Sequence, residues 1–160
     1  MRRIFLSVAL AVTALLVPLL TATPALAKGI SHGRLTGPGL SAPIKVVPGS
    51  RARDTRLNTL RTGTSAHAAV YAFMPKTFGS RRPPGRLGPC YRLEWYGPPG
   101  DTPVLLQFVY PYAARGPVVR TPKQKGAVQH GWVRAPAYTK DVLRELGLPK
   151  RAPAGGRTCP

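Results

Sequence analysis

Hydrophobic and polar positions alternate most clearly in the middle of the chain. In CYRLEWY at 90–96, Tyr91, Leu93 and Trp95 point one way while Arg92 and Glu94 point the other, the period-two pattern of a half-buried strand. After the turn residues of 97–103, the run VLLQFVYPY puts Val104, Leu106, Phe108, Tyr110 and Tyr112 on one face. Two such runs joined by a Gly/Pro-rich turn predict an antiparallel hairpin, with the inward aromatics supplying most of the hydrophobic driving force. Val118 and Val119, after Gly116-Pro117, add a third candidate strand, and Gly131-Trp132-Val133 a short fourth.

The period turns helical near the C-terminus. Val142, Leu143 and Leu146 form an apolar stripe, Thr139 stands as N-cap, and Asp141 sits in the first turn, where the helix dipole favours negative charge. Gly147-Leu148-Pro149 then has the order of a Schellman stop: glycine at the left-handed position, an apolar residue folding back, and proline blocking continuation. Patterning before residue 88 is thinner. Thr36-Gly37-Pro38-Gly39 is turn chemistry, IKVV at 44–47 suits a short strand, and 76–89 reads as an irregular loop. Ser50 is placed to cap a helix over 51–62, with Leu57 and Leu60 on one face and Gly63 as its stop. The stretch 66–74 is apolar without a period and fits strand or helix. These elements predict one α+β domain, loop-rich, with a small antiparallel sheet and a C-terminal helix. Its core falls within about 88–148, with flexible ends.

The succession GPCYRLEWYGPPGDTPVLLQFVYPYAARGPVV at 88–119, GWVRAP at 131–136, GLP at 147–149 and TGPGL at 36–40 resembles a family of small secreted actinobacterial proteins. The resemblance implies export and an intact fold. It carries over no catalytic residue.

The first 27 residues have a different logic. Arg2 and Arg3 precede an apolar run at 4–20 broken by Pro18, and Ala25-Leu26-Ala27 has the small-x-small form cut by a signal peptidase. The run is short for a membrane span, so the expected product is a secreted or envelope-associated domain at 28–160 without an integral membrane segment. The first cysteine is Cys90, which leaves no acylation site behind the apolar run. The start Arg2-Arg3-Ile4-Phe5-Leu6 matches the core of a twin-arginine export signal, but a strongly apolar segment directly behind two arginines fits the general secretory route about as well, and no cofactor motif requires folding before export.

Charge narrows the chemistry. The 160 residues hold 24 Lys+Arg against 5 Asp+Glu, and removing Arg2 and Arg3 with the leader lowers the formal +19 to +17. Five carboxylates are too few for a calcium cage or a two-metal centre. Glu94 is expected in an outward salt bridge to a cross-strand arginine, and Asp101 in a turn. His32, His67 and His130 lack zinc-ligand spacing, and no phosphate-binding glycine loop or nucleophile elbow occurs, so no metal or cofactor is expected. Ser31-His32-Gly33 resembles part of a cell-wall L,D-transpeptidase signature, but Arg34 stands where its cysteine should follow.

Cys90 and Cys159 are the only cysteines, and in an exported chain they read as a disulfide. The competing reading makes Cys90 a nucleophile with one of the histidines as base. The basic residues suggest polyanion binding, with Arg81, Arg82, Arg86, Arg115, Arg120, Lys123 and Lys125 as candidates and Arg51, Arg53, Arg56 and Arg61 along the first helix. Tyr96, Tyr112 and Trp132 are candidates for an aromatic platform. The combined reading is a secreted, non-catalytic basic module for an anionic envelope polymer or acidic protein, without specific nucleic-acid recognition. The alternatives are an enzyme acting on cell wall or peptide through Cys90 or a histidine, and a protease inhibitor presenting a rigid, disulfide-held loop at 97–103.

Overall fold

The computed structural model describes residues 29–49, 55–98, 100–154 and 159. The leader-like segment at 1–27, and Ser50, Arg51 and Arg53 of the expected first helix, lie outside the described residues. Strands β1 (His32–Thr36), β2 (Ile44–Val46), β3 (Tyr91–Tyr96), β4 (Pro103–Tyr110), β5 (Val118–Thr121) and β6 (Gly131–Arg134) form one sheet in the order β2-β1-β3-β4-β5-β6. Every neighbouring pair is antiparallel. Helices α1 (Arg56–Gly63), α2 (Ala66–Val70) and α3 (Tyr138–Glu145) complete the α+β fold. The stretch at 66–74 is therefore helical over its first five residues.

β1 is the element that the hydrophobic pattern does not announce. It pairs with β2 and β3, and its two core-facing residues are Gly33 and Leu35. Gly33 lies opposite Trp95, and a Cβ there would come within 2.8 Å of the indole. The ring takes the space of the missing side chain, so the alternation is hidden in the sequence. With β1 and β2 in place, the core reaches well ahead of the expected span of 88–148: Leu35, Val46 and Leu60 are fully buried.

The register also reassigns the faces of β4. Tyr91, Leu93 and Trp95 oppose Val109, Gln107 and Leu105, and these residues share the helix-facing side. Phe108 and Tyr110, expected to join Tyr91, Leu93 and Trp95, instead lie on the other face. There they pack with Cys90, Ala113 and Val118 beneath Leu87, Trp132 and Cys159. The Cys90–Cys159 disulfide, with Cα atoms 5.7 Å apart and a sequence separation of 69, holds Cys159 against this second cluster. Both faces of the central strand are thus covered, which a single alternating stripe does not foretell.

α3 ends as its sequence predicts and begins otherwise. Leu148 N–H donates to the Leu143 carbonyl (2.8 Å) and Gly147 N–H to that of Arg144 (3.0 Å), with Gly147 at φ +114°, which makes a Schellman stop. The N-cap position belongs to Ala137, without a side-chain cap, and Thr139 is the second residue of the helix. Thr139 is buried against Gly63, where a side chain on α1 would collide with its hydroxyl. Glycine at that point serves close approach of α1 and α3 as well as helix termination.

Candidate functional site: a basic groove beside the last strand

The segment after α2 turns back across the sheet. Its anchor is Gly79, whose N–H and carbonyl pair with the Trp132 backbone on β6 at 2.8 Å each. Gln129 fastens the same segment from the side: its Nε2 donates to the Met74 (3.1 Å) and Pro75 (3.0 Å) carbonyls, and its Oε1 accepts from Thr77 N–H (2.9 Å). Val128 N–H donates to the Ala69 carbonyl at 2.8 Å. Between this strap and β5–β6 lies a groove of about 990 Å³. Lys76, Arg120, Lys123, His130 and Trp132 line it, and none of its lining residues is a carboxylate.

The sheet register places the groove's central pair. Arg120 lies between Phe108 and Trp132 in one cross-strand row, with its guanidinium 5.5 Å from the centroid of the Trp132 ring. Trp132 in turn packs 5.8 Å from Tyr110. Burial raises the Tyr110 hydroxyl above its ordinary pKa, opposed by the positive charges of Arg120 and Arg82.

Of the candidate polyanion residues, Arg120 and Lys123 line the groove. Arg81 and Arg82 are exposed just after Ser80, which also lines it. Arg86 instead lines a separate hollow of about 590 Å³ with Tyr112 and Pro153, and Arg115 accepts a hydrogen bond at its carbonyl from Arg134. Lys125 is exposed outside the groove. Lys76 and His130 were not among the candidates; they meet only because Gly79 pairs with Trp132. The proposed aromatic platform is not assembled. Tyr96 stacks on His32 (4.7 Å), Tyr112 sits near Tyr91 (6.2 Å) beneath Lys140, and Trp132 belongs to the groove.

A second hollow, of about 610 Å³, lies at the β1–β3 end and includes His32, Arg34, Lys45, Tyr96 and Asp101. Glu94 is buried behind it and fully engaged. Arg34 Nε and Nη2 donate to Oε2 (3.0 and 2.7 Å), Tyr96 donates to the same oxygen (3.1 Å), and Arg92 binds Oε1 (2.8 Å). Burial alone would raise the Glu94 carboxyl, but the hydrogen bonds from Arg34 and Tyr96 and the charges of Arg92 and Arg34 hold it below its usual range. The expected cross-strand arginine is therefore Arg34, directly opposite on β1.

The residues named for the catalytic alternatives are not brought together. Cys90 is bonded to Cys159, and the histidines are dispersed: His32 on Tyr96, His67 beside Tyr71, His130 in the groove. No group of three His, Cys, Asp or Glu side chains among the described residues is placed to hold a metal ion. The loop at 97–103 is not held by the disulfide, because Cys90 precedes β3 and the loop follows it, about 20 Å away along six extended residues. No helix among the described residues is long and apolar enough to cross a membrane. No protein-family model, curated protein or solved structure matches the chain.

Proposed function

We propose that the chain is an exported, non-catalytic binding module whose groove takes an anionic polymer of the cell envelope. One observation carries this reading: Lys76, Arg120, Lys123 and His130 line one groove with Trp132, and no carboxylate is among the lining residues. A net positive surface alone attracts polyanions diffusely. A groove that combines a forked guanidinium, two ammonium groups and an indole offers defined contacts to phosphate or carboxylate groups repeated along a chain. The leader-like residues 1–27 and the disulfide support export.

Equilibrium binding to poly(glycerol phosphate) in ~150 mM salt, where the Debye length is about 8 Å, tests the reading. Reversing charge at Lys76 and Lys123 should weaken binding about tenfold, equivalent to about 1.4 kcal/mol. The same charge change at Lys150 and Arg151, exposed and outside the groove, should have little effect. Equal losses in the two double variants would reduce the interaction to diffuse attraction and defeat the proposal.

A further inference from the structure

The groove has an apolar neighbour for which a soluble polyanion has no use. Phe73 is 81% exposed and belongs to neither hydrophobic cluster, so the fold does not require it. Its ring stacks on Tyr71 with centroids 5.4 Å apart, in a turn closed by Met74 N–H donating to the Tyr71 carbonyl (3.2 Å). Met74, the next residue, lines the groove, as does Val128, which is 50% exposed. The Gln129 amide joins these two segments through the Met74 carbonyl. An outward aromatic therefore immediately precedes a residue of the groove, and an exposed valine lines that groove together with Lys76 and Lys123.

Resting on the anionic-ligand reading above, we propose that the groove docks on an anionic phospholipid bilayer. Lys76, Lys123 and Arg120 meet headgroup phosphates while Phe73 and Val128 enter the interfacial zone. Basic side chains flanking exposed apolar ones match the two layers of such a surface, phosphate outside and hydrocarbon beneath. A phosphate polymer satisfies only the first layer and leaves Phe73 in water. The docking is peripheral, because it uses a turn and a strand edge and needs no spanning helix.

The test uses the exported chain after leader removal, co-sedimented at ~150 mM salt with vesicles of phosphatidylglycerol and phosphatidylcholine or of phosphatidylcholine alone. Binding should require phosphatidylglycerol. Phe73→Ser should lower vesicle partitioning about tenfold through loss of apolar burial, with affinity for poly(glycerol phosphate) unchanged. Phe73→Trp should shift its fluorescence to the blue on the mixed vesicles. Unchanged partitioning of Phe73→Ser, or no blue shift in Phe73→Trp, would overturn lipid docking while leaving the groove's polymer binding intact. If charge reversal at Lys76 and Lys123 leaves polymer binding unchanged, it is the underlying groove reading that fails.

Discussion

Gln107 occupies a core-facing position on β4 where an aliphatic side chain would be the ordinary occupant. It is completely buried, and its amide is matched on both sides: Oε1 accepts from Trp95 Nε1 (2.8 Å), and Nε2 donates to the Thr64 carbonyl and to Thr121 Oγ1 (3.0 Å each). One residue thus joins β3, β5 and the end of α1. Gln107→Leu would keep the volume but remove these partners from buried groups, each worth about 1–3 kcal/mol when left unpaired. The expected result is a loss of roughly 2–4 kcal/mol in urea unfolding with an unchanged m value. Local patterning assigns Gln107 to the solvent face because periodicity treats a polar side chain as solvated. Its partners at sequence separations of 43 and 14 carry no local signature. Trp95 and Leu93, which need only apolar surroundings, are legible from alternation alone.

At the level of elements, the joint between β1 and β3 combines a ring filling a glycine's space with a buried carboxylate. Glu94 is held by Arg34 from β1 and by Arg92 and Tyr96 from its own strand. A carboxyl whose folded pKa lies below its ordinary 4.5 stabilises the fold above that value, and the contribution fades as pH falls through the folded pKa. Wild-type protein should therefore lose more stability between about pH 5 and pH 3 than Glu94→Gln, while the variant is the weaker at neutral pH. Urea midpoints measured across that window check the sign; parallel profiles would contradict it. The β3–β4 hairpin and the stop of α3 are readable because their signals are adjacent residues. β1 is not, because its evidence is the shape of Trp95. The start of α3 misleads for a similar reason: Thr139 has the chemistry of a cap but is used against Gly63.

For the molecule as a whole, charge is distributed rather than merely abundant. Among the described residues, Glu94 and Asp101 lie at the β1–β3 end and Asp141 and Glu145 on α3, while the groove has only basic and neutral lining residues. Composition reveals the excess of cations, and Arg120 and Lys123 could be nominated from sequence. Their assembly with Lys76 and His130 depends on a loop crossing to β6, a long-range event that no charge run encodes.

That crossing also protects a border. β6 is the last strand of the sheet, and its outer backbone groups would otherwise be open to pairing with another copy of the chain. Gly79 occupies them at Trp132, while the opposite border, β2, is only three residues long. Gly131 permits the arrangement, since it adopts φ +124° and a side chain there would strike the Gly79 carbonyl. Gly131→Ala should push the strap away and raise concentration-dependent self-association in light scattering above that of the parent chain. A variant that scatters like the parent at every concentration would contradict this expectation. The residues that line the groove thus also keep the sheet from becoming a template for its own kind.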